Sequence, residues 1–274
     1  MATVTEKFSL RERRPDVLSG TPRAYAIDRW IFVATAAWFI VIILTGFIPD
    51  SIMKVGLVEA GQRPPFPLVL HMHAVLMGSF LLLVLAQTVL MATGRDAYHV
   101  QLGVAAFVLA PALVIVGFIL VPTIYYQTWN AFQAAPPGTQ EELRKAVSFR
   151  ENVMLLQLRV GLLFPLFLAI GLHARRGNAG LHKRMMLLAP AMALGAGFAR
   201  ITWLPTTMPA SALALDLYIL VAVAPMFVWD VIRNRRIHAA YWIWLAVNLP
   251  FALVVFNLWD TPWWHETAKR IMGV

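Results

Sequence analysis

The residues of this 274-residue chain best suited to chemistry are its histidines, because it contains no cysteine. Thiolate metal sites, disulfides and covalent thiol chemistry are therefore excluded. His99 and His182 each lie five residues after a glycine, Gly94 and Gly177, and each opens a long apolar run. Neutral imidazole is a good axial ligand for haem iron, and two imidazoles on different helices at one depth are the minimum for a six-coordinate b haem. Arg95, Arg175, Arg176, Lys183 and Arg184 flank the pair and would suit haem propionates or an acidic headgroup, with His173 nearby. The competing reading of His99 and His182 is a pair of solvated anchors at a membrane surface.

A second constellation consists of His71, His73, Gln157, Arg159, Arg200 and Asp216, all within apolar runs. Ionisable groups at such depth cost several kcal/mol and are functional candidates by default. Asp216 can pair with Arg159 or with Arg200, which leaves the other arginine to hold a carboxylate, a phosphate or a haem propionate. In His71-Met72-His73 the two histidines point about 200° apart on a helix, so one faces the bundle and the other the interface. A metal site joining one of them to Asp216 is the sharper alternative to an interfacial histidine. The twelve methionines read as packing material rather than a copper path. A phosphate-binding glycine loop, a nucleophile elbow and a His-Glu-x-x-His signature are all missing, so no reaction is assigned.

The elements that must carry these residues follow from composition. Apolar residues make up 59% of the chain and charged residues only 14%. A soluble domain averages about 45–50% and 25%, so this chain cannot cover a water-facing surface. Seven runs approach the roughly 20 residues needed to cross a bilayer: about 30–48, 68–92, 99–121, 153–173, 185–204, 212–230 and 240–258. The basic segment before the first run is too long and too charged for a signal-peptide n-region. Fourteen of the 23 basic residues fall on the side of residues 1–29, seven on the other, and Arg159 and Arg200 remain inside. That bias predicts a cytoplasmic N-terminus and an external C-terminus. The net charge of +9 then reflects topology and contact with anionic lipid at the cytoplasmic face, with no nucleic acid required.

The longest connection, 122–152, carries Tyr125, Tyr126, Trp129 and Phe132 and then Glu141-Glu142-Leu143-Arg144-Lys145. It is the expected docking surface for a membrane-protein partner, and its charged part can form a short surface helix. Prolines 111, 165, 190, 225 and 250 sit deep in five runs and invite kinks. The fifth run, Ala189-Pro190-Ala191-Met192-Ala193-Leu194-Gly195-Ala196-Gly197, is rich in small residues and is expected at the packing centre.

Gly94-Arg95-Asp96-Ala97-Tyr98-His99 and Gly177-Asn178-Ala179-Gly180-Leu181-His182 echo each other, as a parallel repeat would. Leu70-His71-Met72-His73, Gln87-Thr88, Gly94-Arg95 with His99-Val100-Gln101-Leu102-Gly103, and Leu181-His182-Lys183-Arg184-Met185-Met186 with Arg200 resemble, in order and spacing, a widespread group of uncharacterised bacterial multi-pass membrane proteins. The resemblance covers about residues 65–205 and implies a bacterial inner membrane, with no activity to carry over. A looser similarity is to the cytochrome b561-like four-helix proteins, which implies b haem between paired histidines. This chain departs from them in lacking two histidine pairs at two depths.

The expectation is an all-α polytopic membrane protein of seven transmembrane helices, with a basic tail 1–29, a bundle 30–258 and an external tail 259–274. It would bind an apolar redox cofactor, b haem or quinone, in electron transfer or respiratory-complex assembly. Two other classes stay open: a non-catalytic accessory or scaffold subunit docking through 122–152, and a transporter whose site is the outer polar cluster.

Overall fold

The computed structural model describes residues 25–274, which form ten helices and no strand. Lys7, Arg11, Arg13, Arg14 and Arg23 of the basic tail lie outside the described residues. In chain order the helices are α1 (Ala26–Glu59), α2 (Leu68–Ala92), α3 (Asp96–Gly103), α4 (Ala106–Gln133), α5 (Pro137–Ala174), α6 (Ala179–Ala191), α7 (Leu194–Phe198), α8 (Leu213–Asn234), α9 (Ala239–Leu258) and α10 (Pro262–Met272). Six helical stretches are long and apolar enough to cross a membrane: α1, α2, α3 with α4, α5, α8 and α9. In hydrocarbon only a helix satisfies its backbone internally, and long apolar runs have no other stable form there. Large apolar side chains such as Leu44, Val108, Val221 and Leu249 remain exposed on the outside of the bundle, where lipid solvates them.

The fifth expected span differs. Its sequence folds as α6, of 13 residues, and α7, of five, each too short to cross by itself. Pro190 has no amide hydrogen to donate and sits in the last turn of α6, beside the break. This broken element is nonetheless the best-buried part of the chain: Leu187, Leu188, Ala189, Ala191 and Leu194 are all at most 1% exposed. Small residues make that burial possible. A Cβ added to Gly46 of α1 would lie 2.2 Å from the carbonyl oxygen of Gly197 in α7, so the two backbones touch where no side chain fits.

Ion pairs, buried at one end and partly buried at the other, tie the helices together. At one end Asp28 of α1 accepts from Arg233 and from the indole of Trp229 in α8, and Arg184 of α6 is bidentate to Asp230 of α8. At the other end Arg200, just beyond α7, donates to Asp50 of α1. Buried charges of this kind must be paired to be tolerated.

The stretch 122–152 is mostly helical rather than a loop. α4 runs on to Gln133 and α5 begins at Pro137, leaving residues 134–136 as the connection. The charged part is helical as expected, but it is the first turns of α5, with Arg144 bonded to Glu141. The tail after residue 258 is also ordered. α10 packs Trp264, Ala268 and Met272 against α5, the Trp264 indole donates to the Glu151 carbonyl, and the Tyr126 hydroxyl donates to the Met272 carbonyl.

A hydrogen-bond network holds α10 in place. His265 bonds Glu151 at 2.6 Å and Asp260 at 3.1 Å, and Asn152 donates to Asp260 at 3.2 Å. The His265 bond, followed by that from Asn152, holds the Asp260 carboxyl below the usual aspartate value. A depressed carboxyl stabilises the folded state above its unfolded value, and that contribution fades as pH falls through the folded one. Loosening of α10 is therefore expected only on acidification below the ordinary aspartate range. Because Asp260 is largely exposed, the effect should be small and salt-sensitive. Protease nicking near α10 followed against pH tests this, and Asp260→Asn should flatten the profile.

Candidate functional site

At the end where α6 begins, His99 of α3 and His182 of α6 come together as the sequence echo anticipates. Their ring centroids are 6.3 Å apart with planes at 83°. Each reaches back to a carbonyl of the preceding long helix: His182 Nδ1 to Gly171 at 2.8 Å, and His99 Nδ1 to Gln87 at a longer 3.4 Å. A carbonyl only accepts, so in both rings Nδ1 carries a hydrogen, and in the neutral ring Nε2 then bears the lone pair. A backbone carbonyl on the far nitrogen is the arrangement that orients and enriches a ligating histidine. Beside them lies an unsatisfied group, for the side-chain amide of Gln87 is buried with no partner at either atom. Such an orphan is unusual in a native interior and marks a place where a ligand's polar atom would be welcome.

The flanking cations divide. Arg95 lines an open cleft with Leu90, Tyr98, Gln101 and Leu102 next to His99. Arg175 lies over Phe107 at 5.5 Å, and Lys183 over Phe32 at 5.0 Å. Arg176 and His173 are exposed. Arg184 differs from the sequence expectation: it is fully buried, bidentate to Asp230 at 2.5 and 2.6 Å, and donates to the Gly180 carbonyl, so its guanidinium is committed to a structural ion pair.

The outer constellation does not assemble into one site. Arg159 is bidentate to Asp216 at 2.7 and 3.0 Å and also donates to Asn248, joining α5, α8 and α9. Asp216 is thereby committed, and among the described residues no three histidine or carboxylate side chains converge as a metal site would need. Arg200 is not the spare cation expected from the sequence. It bonds Asp50 at 3.2 Å and lies over the Phe47 ring at 4.2 Å. The two histidines of α2 separate as helix geometry requires: His71 is exposed, edge-on to Phe66, while His73 points inward with a buried Nδ1 that has no partner. His73 faces α4, where a Cβ on Gly117 would lie 3.7 Å from its ring.

Sequence reasoning missed several partners. Asp28, Asp50, Asp230 and Asn248 each complete a pair with a residue at least 46 positions away. Gln87 was visible only as part of a motif; its buried, unbonded amide is a property of the packing. Glu151, which accepts from the Tyr125 hydroxyl and bonds His265, was indistinguishable from surface charge because both partners lie on other helices. No protein-family model, curated protein or solved structure matches the chain.

Proposed function

We propose that this is a seven-crossing protein of the bacterial inner membrane that binds an apolar redox cofactor between His99 and His182. The crossing number rests on the ion pairs. Asp28 and Asp50 lie on one helix about 33 Å apart at 1.5 Å per residue. Arg184 pairs beside the Asp28 end and Arg200 pairs with Asp50, which supports reading the interrupted α6 and α7 together as a crossing alongside α1. With the basic bias, this favours a cytoplasmic N-terminus and an external α10.

The single observation that carries the cofactor reading is the geometry of the histidine pair. A metal held by two imidazoles at about 2 Å on each side would separate their ring centroids by roughly 6 Å, and the observed separation is 6.3 Å. Each ring turns its Nδ1 to a backbone carbonyl, which would leave the other nitrogen of His99 and of His182 to hold a metal. The donor set thus fits b haem, which supplies one-electron exchange at its iron. His99 and His182 would be the ligands, and Arg95 is the nearby cation suited to a propionate. The orphaned Gln87 amide favours a second occupant of the same place, a quinone whose carbonyl it can bond. Either cofactor fits a part in electron transfer or respiratory-complex assembly.

Protein purified after haem-replete expression is expected to show a Soret band that shifts on reduction. His99→Ala with His182→Ala should lower haem content about tenfold or more while the detergent-solubilised protein stays monodisperse. Absence of the band in wild type, or its persistence in the double variant, rejects haem. Quinone retained by wild type and lost by Gln87→Leu would then select the other cofactor.

A further inference from the structure

The short helix after the last long span is tied at both ends to one level of the bundle. Near its start, His265 bonds the Glu151 carboxylate at 2.6 Å, and the same carboxylate accepts from the Tyr125 hydroxyl at 3.1 Å. At its end, the Met272 carbonyl accepts from the hydroxyl of Tyr126, whose ring lies 6.1 Å from that of Tyr125. Residues 265 and 272 are about 10 Å apart along a helix, yet both are held through neighbouring tyrosines of α4. α10 therefore crosses the faces of α5 and α4 instead of continuing the direction of α9. The turn that allows this is local: Asp260 adopts a left-handed φ of 58°, its amide donates to the Asn152 side chain at 2.9 Å, and Pro262 begins α10. The level is that of the membrane boundary. α9 has 20 residues, the length that crosses roughly 30 Å of hydrocarbon, and α10 starts just after its end.

Around α10 the side chains sort into three stripes, each at the four-residue spacing that shares a helix face. Trp264, Ala268 and Met272 are buried against the bundle. Glu266 and Arg270 are exposed and bonded to each other at 3.2 Å. Trp263, Thr267 and Ile271 form the third stripe, between the other two, with Lys269 on the opposite side of the helix. Trp263 is 61% exposed and Ile271 56%. The Thr267 hydroxyl donates to the Trp263 carbonyl at 2.8 Å, so its polar atom is already satisfied and the stripe is apolar in effect. An apolar flank next to a buried one and opposite a charged one is the pattern of a helix lying in the membrane interface. Tryptophan suits that depth, having an apolar ring and one polar N–H. α9, which leads directly into α10, likewise leaves Leu249, Leu253 and Val254 exposed to lipid.

We propose that α10 is an interfacial helix whose flank of Trp263, Thr267 and Ile271 rests on the phospholipid bilayer at the boundary where α9 ends. The occupant of that flank is lipid and not a partner protein. A row of three residues falls far short of the roughly 800 Å² that a stable protein partner covers on each side, whereas a bilayer surface needs only one flank of a helix. Through His265 and Trp264 on Glu151, and Tyr126 on Met272, the seated helix fixes the depth of the α4 and α5 pair in the membrane. The proposal holds whichever side of the membrane this end faces, and whether or not a cofactor binds the histidine pair.

Because the chain has no cysteine, single thiols can be placed in the full-length protein and labelled with a nitroxide without background. Trp263→Cys, Ile271→Cys and Glu266→Cys are reconstituted in vesicles of phosphatidylethanolamine and phosphatidylglycerol. Two controls accompany them: Leu249→Cys on the exposed face of α9, and Arg144→Cys in the exposed first turns of α5. Electron paramagnetic resonance then compares collision of each label with oxygen, which concentrates in hydrocarbon, and with a nickel chelate, which stays in water. The oxygen-to-nickel ratio at positions 263 and 271 should exceed that at 266 several-fold and fall between the α9 and α5 controls. Labels at 263 and 271 that meet nickel as readily as the one at 266 would put the flank in water and overturn the proposal. Labels at both positions shielded from oxygen and nickel alike would show that a protein covers the flank, and overturn it as well. The substituted side chains are exposed, so a thermal unfolding midpoint close to wild type is expected, and Ile271→Cys carries the test if Trp263→Cys fails to fold.

Discussion

Arg184→Met is expected to destabilise the protein by about 3–5 kcal/mol, the cost of leaving one member of a buried ion pair alone. Both side chains are withdrawn from solvent, Arg184 at 0% and Asp230 at 1% exposure, and the carboxylate takes two guanidinium hydrogens. With the arginine gone, Asp230 loses both guanidinium hydrogens and keeps the amide of Asn234, 2.5 Å away on its own helix. The carboxylate must then either stay charged and unpaired or take up a proton. Loss should appear as a lower unfolding midpoint in detergent and a smaller monodisperse fraction after heating. The double variant Arg184→Met with Asp230→Leu should recover most of it, because two apolar groups need no partner in this interior. A single Arg184→Met variant as stable as wild type would falsify the burial of the pair.

This pair also shows where sequence reading stops. Leu181-His182-Lys183-Arg184 reads as a basic entrance to a helix, and a charged residue there is ordinarily solvated. What buries Arg184 is the close seating of α6 among its neighbours, together with an aspartate 46 residues later on α8. Neither is a local property. The helical class and the apolar runs were legible because hydrocarbon imposes one backbone solution on any long apolar run. The inward turn of His73 and outward turn of His71 were legible as an alternation, since the angle between them is fixed by the helix, though not which faced which.

The histidine pair was legible for a similar reason. A repeated glycine-to-histidine spacing puts each ring at the start of a helix, where it reaches the last turns of the one before it: His99 to Gln87, His182 to Gly171. The fate of Arg200 was not legible. Its partner could have been any carboxylate at that depth, and Asp50 lies 150 positions earlier, just past residue 48 where the first apolar run was expected to end, although α1 continues to Glu59. The broken fifth span was half legible. Small residues predicted close packing, but the interruption between Ala191 and Leu194 depends on how Pro190 and the following turn meet their neighbours.

The close approach of α1 and α7 makes the second large prediction. Gly46→Ala places a methyl 2.2 Å from the Gly197 oxygen and 2.9 Å from its carbonyl carbon, and both are backbone atoms that no rotamer change can move. The two elements must separate, and overpacking of a dense interior costs about 1–3 kcal/mol, with backbone obstruction at the upper end. Gly197→Ala should be milder, because its nearest obstacle is the flexible end of Ile43 at 3.1 Å, ahead of the Ile42 carbonyl at 3.3 Å. Gly78→Ala, in α2 with nothing within 4 Å, should be neutral or gain a few tenths of a kcal/mol from helix propensity. The expected order of unfolding midpoints is Gly78→Ala at or above wild type, then Gly197→Ala, then Gly46→Ala. Equal midpoints for Gly46→Ala and Gly78→Ala would mean that α1 and α7 are not in backbone contact, and the central place of the interrupted helix would have to be abandoned.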